Sequence, residues 1–108
     1  MIYEYREYHA VPGRMEDLKR RFRDIAARLF EKHGLKVIGY WQEEVGDNST
    51  LIYVMTFRDH ADREAKWKAF RADPEWQAAF RASEANGQLT TKIVNRIWRP
   101  VTFTFTPA

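Results

Sequence analysis

Apolar and polar residues alternate with period two over residues 2–9, IYEYREYH, which predicts a β-strand. Ile2, Glu4, Arg6 and Tyr8 share one face; Tyr3, Tyr5, Glu7 and His9 share the other. Both faces mix aromatic with charged groups, so whichever face is buried must partner its charges. Pro12 and Gly13 break the strand. Beyond them Met15, Leu18, Phe22, Ile25, Ala26, Leu29 and Phe30 recur mostly at spacings of three and four, the pattern of an amphipathic helix. Arg20, Arg21, Arg23, Asp24 and Lys32 fall mostly off that stripe and read as a solvated face. Gly34 suits the left-handed position that ends a helix, and His33 reads as an exposed partner of the helix dipole. Residues 35–45 predict a strand, with Gly39 as a bulge or a close backbone approach. Unbroken alternation places Leu35, Val37, Gly39, Trp41 and Glu43 on one face. A turn at 46–49, GDNS, returns the chain as a hairpin into an apolar strand over 51–57.

The central stretch, 51–80, carries the strongest punctuation. Asp59 predicts a helix N-cap, and Asp73-Pro74-Glu75 predicts a second start, with Pro74 at the first helical position. Arg63, Trp67 and Phe70 share one face of the first helix, and Ala61, Ala65, Ala69 and Ala72 form a second stripe. Two non-polar stripes predict neighbours on two sides. Asn86 and Gly87 turn the chain into a last strand over 89–98, and the tail over 101–106 alternates like a further short strand. The order βαββαβ is the ferredoxin-like α+β plan. Right-handed crossovers place both helical layers on one face of a four-stranded antiparallel sheet. Strands this rich in Trp, Tyr, Ile and Val leave the opposite face to be covered, which predicts a homodimer of stacked sheets.

Length and composition narrow the picture without naming a chemistry. The 108 residues are read as one domain over 1–108. Aromatic residues at 15% are high for so small a chain, which points either to rings lining a ligand pocket or a subunit interface or to a core rich in Tyr and Trp. Basic residues are interleaved with acidic ones, and the net charge is only +3, so no nucleic-acid partner is expected. No apolar run is long enough to cross a membrane, and Met1 leads straight into a strand pattern, so a cytoplasmic location is expected. The chain has no cysteine, which removes thiol chemistry and thiolate metal sites. His9, His33 and His60 lack metal-ligand spacing, and no metal or other cofactor is expected. Ser49 and Ser83 lack a glycine elbow, and there is no glycine-rich phosphate loop.

The remaining candidates for chemistry are polar and aromatic: Arg6, Tyr8, Trp41, Tyr53, Arg63 and Trp67. An arginine fork beside flat rings suits a small apolar or aromatic ligand with an anionic group. The competing assignment is structural, with Arg6 paired to Glu4, Arg63 paired to a carboxylate across the helix–sheet junction, and the tryptophans in the core. Arg6 cannot be satisfied by Glu4 alone, because a guanidinium has five donors.

Tyr3 to Tyr8, Pro12-Gly13, Lys32-His33-Gly34, Gly39-Tyr40-Trp41, Glu44-Val45-Gly46, Arg63-Glu64, Trp67 and Asp73-Pro74-Glu75-Trp76 together resemble the NIPSNAP family. The resemblance runs from about Ile2 to Arg99 and rests on the order and spacing of these motifs. It implies a dimeric α+β barrel in which two ferredoxin-like subunits stack their sheets. Proteins with that barrel include cofactor-independent monooxygenases, haem-degrading enzymes and small binding proteins, so the fold leaves function open. Two readings follow. One is a small-molecule site with cofactor-free oxygenase or isomerase-like chemistry; the other is a non-catalytic binding or protein-interaction module.

Overall fold

The computed structural model describes residues 1–101 and 103. The tail strand expected over 101–106 falls for the most part outside the described residues. Strand β1 (Ile2–Ala10) leads into α1 (Met15–Arg21), a π turn (Phe22–Ala26) and α2 (Ala27–Lys32), which form one continuous helical rod. Then come β2 (Lys36–Gln42), β3 (Thr50–Phe57), α3 (His60–Ala72), α4 (Pro74–Ser83) and β4 (Thr90–Trp98). The sheet order is β2-β3-β1-β4, antiparallel at every pairing. This is the ferredoxin-like plan that the chain order predicts.

Both helical layers pack on the face carrying Glu4, Arg6, Tyr8 and Tyr53. Phe22 meets the rings of Tyr8 and Tyr53, and Phe30 meets Tyr53, Trp67 and Phe70. Tyr53, Leu18, Leu29, Met55, Leu89 and Glu4 are the largest fully buried side chains. A carboxylate in that company has to be held by donors, and it is.

Three expectations are corrected. First, the strand register shifts between Val37 and Gly39, a bulge at Ile38. Val37 pairs with the buried Met55, whereas Gly39 pairs with Val54 and Trp41 with Ile52 on the helix-free face. One extra residue reverses the facing of everything after it. The ring of Trp41 lies over Gly39, where an added Cβ would stand 2.9 Å from it. Second, the alanine stripe of α3 is exposed. Alanine favours helix without needing cover, so α3 packs through its Arg63–Trp67–Phe70 side alone. Third, Arg21 is buried, with 5% of its side chain exposed. It lies three residues after Leu18 and four before Ile25, so it belongs to the core stripe.

Helix starts follow the expected chemistry. Asp59 accepts a hydrogen bond from the backbone N–H of Asp62 at 2.8 Å. Asp73 accepts from the N–H of Glu75 at 2.8 Å, from Lys32 at 2.9 Å, and pairs with His33 Nε2 at 2.7 Å. His33 is therefore a tie between the two helical layers, and the pairings from His33 and Lys32 hold the Asp73 carboxyl well below the usual carboxylate range. Asp73→Ala removes a cap and this tie together, so the melting temperature should fall by several degrees. A thermal melt that does not move would show that Asp73 stabilises nothing.

Candidate functional site

The site grows from one buried strand face. β1 is the second strand in from the β4 edge, hydrogen-bonded on both sides, so its inward side chains lie under the helices. Glu4 is wholly buried and accepts four hydrogen bonds. Arg63 reaches it through Nε at 2.8 Å and Nη2 at 3.0 Å, Trp67 through Nε1 at 2.7 Å, and Arg6 through Nη1 at 2.9 Å. Burial alone would raise the Glu4 pKa. The bonds from Arg63 and Trp67, with the charge of Arg6, outweigh it and hold the group ionised below its ordinary value. Arg63 and Trp67 thus act by holding Glu4, as the structural assignment expects.

Arg6 is less completely served. Nη2 donates to the Tyr8 hydroxyl at 3.3 Å, and the Tyr8 and Tyr53 hydroxyls lie 2.9 Å apart. Asn95, opposite Arg6 on β4, accepts from Nη1 at 2.9 Å when its amide oxygen is turned inward. The guanidinium lies over the Trp67 ring, 4.5 Å from its centroid. The Nε–H of Arg6 is buried and has no partner among the described residues. Burial would lower the Arg6 pKa, but the phenolic oxygens of Tyr53 and Tyr8 and the Glu4 charge raise it, so the cation is permanent. Burial drives the Tyr53 hydroxyl well above its ordinary value and keeps it protonated.

A cavity of about 150 Å³ adjoins Arg6 and Tyr8. Its walls include Phe22, Phe30, Trp67, Phe70 and Trp76, and Arg21 enters from the end of α1. Arg21 donates through Nη1 to Ser83 Oγ at 3.2 Å and pairs with Glu84 at 3.3 Å. Its Nε–H is also buried and unpartnered among the described residues. Phe22 begins the π turn, a distortion frequent at functional positions in helices. No carboxylate or imidazole lines this cavity among the described residues.

The six side chains singled out from sequence therefore separate. Arg6, Tyr8 and Trp67 line the cavity. Tyr53 backs it through Tyr8, and Arg63 backs it through Glu4. Trp41 is not part of it, because the Ile38 bulge turns it to the opposite face. The residue missed was Arg21, whose place at i+3 from Leu18 was the available signal.

The helix-free face carries a second polar line along β1. The Tyr5 hydroxyl donates to Glu7 at 2.7 Å, and Glu7 pairs with His9 Nε2 at 2.5 Å. Burial and the Glu7 carboxylate push the Tyr5 hydroxyl up to about 12. Tyr5 stacks on Trp98, with centroids 5.0 Å apart. Among the described residues there is no group of three His, Asp or Glu side chains arranged to hold a metal ion.

The NIPSNAP family model matches residues 3–104 of this chain. The chain belongs to the NIPSNAP family. It is 31% identical over 81 residues to human Protein NipSnap homolog 3A, an alignment covering 74% of this chain. The same alignment covers 32% of that protein, so the chain matches about a third of its relative's length. Among solved structures, a NIPSNAP family protein from Agrobacterium tumefaciens superposes with a TM-score of 0.86 at 24% identity, covering 95% of each chain. A protein from Nitrosomonas europaea named as an antibiotic biosynthesis monooxygenase superposes with a TM-score of 0.65 at 11% identity, covering 94% of this chain and 99% of its own. These likenesses establish the NIPSNAP fold. No helix among the described residues is long and apolar enough to cross a membrane.

Proposed function

We propose that this NIPSNAP domain binds a small anionic molecule between its helical layer and its sheet, with Arg6 as the anchor for the anionic group. The observation that carries this reading is that Arg6 lines a cavity while its buried Nε–H has no partner among the described residues. A buried donor left unmade costs free energy that a ligand acceptor returns. The same domain acts as a homodimer through its helix-free sheet faces, where Trp41 and Trp98 are 50% and 46% exposed. Tyr5, Glu7 and His9 on that face already satisfy one another, so a second sheet can cover them at little cost.

The lining favours binding over base-driven catalysis. With no carboxylate or imidazole on the cavity wall among the described residues, oxygenase or isomerase-like chemistry is confined to ligands that arrive already ionised. Arg6 then stabilises an enolate or phenolate oxygen, and the Tyr8 hydroxyl is the group placed to move a proton. The fold shared with a protein named as an antibiotic biosynthesis monooxygenase supports this second reading.

Arg6→Lys keeps the charge and loses the planar fork. The variant should fold and dimerise like the parent and bind anionic ligands about ten- to a hundredfold more weakly, the worth of a charge-assisted hydrogen bond. A thermal-shift screen of small acids against their neutral amides, on parent and variant, checks this. Stabilisation by amides and acids alike would remove Arg6 as the anchor.

A further inference from the structure

We propose that Arg6 and Arg21 together hold one carboxylate, and that the ligand of this cavity is a single-ring aromatic acid of the benzoate or phenylacetate class. The inference rests on the reading of Arg6 above and adds a second anchor and a ligand class.

The two arginines come from different layers, β1 and the end of α1, and line the same cavity. Both donate to protein acceptors: Arg6 through Nη1 to Glu4 and Nη2 to Tyr8, Arg21 through Nη1 alone to Ser83 and Glu84. Each keeps a buried Nε–H with no partner, and these are the only two such side-chain atoms among the described residues. Unmade buried donors are rare in folded proteins. Two of them on guanidinium groups whose residues line one small cavity describe a place for an anion.

Charge points the same way. Arg6, Arg21 and Arg71 line the cavity and Arg63 stands behind it, against the carboxylates of Glu4 and Glu84. Arg71 is exposed and solvated, which leaves one uncompensated buried positive charge. Burial presses the Arg21 guanidinium below its ordinary pKa, and Glu84 and the tyrosine hydroxyls only partly oppose this. One monoanion balances the site; a dianion would overshoot it.

Shape and size choose the rest of the molecule. Outside the arginines and Tyr8, the walls are dominated by rings, Phe22, Phe30, Trp67, Phe70 and Trp76 among them. Such walls offer π faces and edges to another ring. The volume of about 150 Å³ is that of an apolar cavity that accepts benzene. It suits one ring with a short acidic arm better than two fused rings.

The test titrates the full chain with benzoate, benzamide, 2-naphthoate and inorganic phosphate, read by calorimetry and by the arginine Nε–H signals in nitrogen-15 NMR. Benzoate should bind, benzamide and phosphate should not, and 2-naphthoate should bind at least about tenfold more weakly than benzoate. Benzoate should move two arginine Nε–H signals and slow their exchange with water. Arg21→Lys and Arg6→Lys should each weaken benzoate by about tenfold or more. If Arg21→Lys does not fold, the two NMR signals of the parent decide the matter without it. Benzoate binding that moves one Nε–H signal, or that survives Arg21→Lys, overturns the shared clamp and leaves the Arg6 reading standing. Phosphate or 2-naphthoate binding that displaces benzoate overturns the ligand class while keeping the site. No binding of any of the four at millimolar concentration overturns the proposal, and Arg6 as a general anion anchor then stands or falls on the wider acid screen.

Discussion

Glu4→Gln should destabilise the fold by about 3–5 kcal/mol, the usual cost of removing one partner from a buried ion pair. The reason is the number of donors that depend on this carboxylate. Arg63 forks onto it, Trp67 donates its indole N–H, and Arg6 donates an Nη. Glutamine keeps the volume but turns one oxygen into a donor that faces donors, and leaves two arginines without their charge partner. A loss of that size is a large fraction of the about 5–15 kcal/mol that holds a domain together. Denaturant unfolding of parent and variant measures it, and a midpoint shift worth less than about 1 kcal/mol would show that the network is dispensable.

The same residue sets a pH dependence whose sign is fixed. The pKa of Glu4 is lower folded than its ordinary value of 4.5. Its contribution is therefore fully present above that value and is lost as the pH falls through the folded pKa. The parent should lose stability on acidification below about pH 4.5 more steeply than Glu4→Gln does. Parallel acid-unfolding curves for the two proteins would contradict this.

The second large effect is expected on the helix-free face. Val54 sits between Gly39 and Tyr5 across the strands, beneath the proposed sheet-on-sheet interface. A two-fold interface presents every substitution twice, so Val54→Asp places two unpaired carboxylates under cover. Each costs several kcal/mol to desolvate, and a total of about 4 kcal/mol or more weakens association about a thousandfold. The parent should sediment as a dimer with an interface of about 2,000 Å² or more, and the variant as a monomer at micromolar concentration. A parent that sediments as a monomer, or a variant that remains dimeric, would remove this face as the interface.

Much of the architecture was readable because the signals were local. The alternation over 2–9, the three-and-four spacing from Met15 to Phe30 and the caps at Asp59 and Asp73 each report one element through its own residues. The chain order of those elements selects the ferredoxin-like plan, since crossover handedness leaves few alternatives. The pairing of Arg6 with Glu4 was legible for the same reason, being set by the two-residue repeat of one strand. The partner of Arg63 was not, because fifty-nine residues separate it from Glu4. The bulge at Ile38 was equally hidden: a glycine at 39 hinted at it, but only the pairing with β3 decides on which side the extra residue falls. That choice removed Trp41 from the site. Arg21 is the reverse case, a charge whose helical phase places it in the core although its chemistry suggests the surface. Charge predicts exposure only when no partner waits inside, and its partners Ser83 and Glu84 arrive from the far end of α4, more than sixty residues later. Periodicity along the chain determined which elements form and which faces they show. Contacts between distant segments decided which charges meet, and so where two arginines from different layers line one cavity.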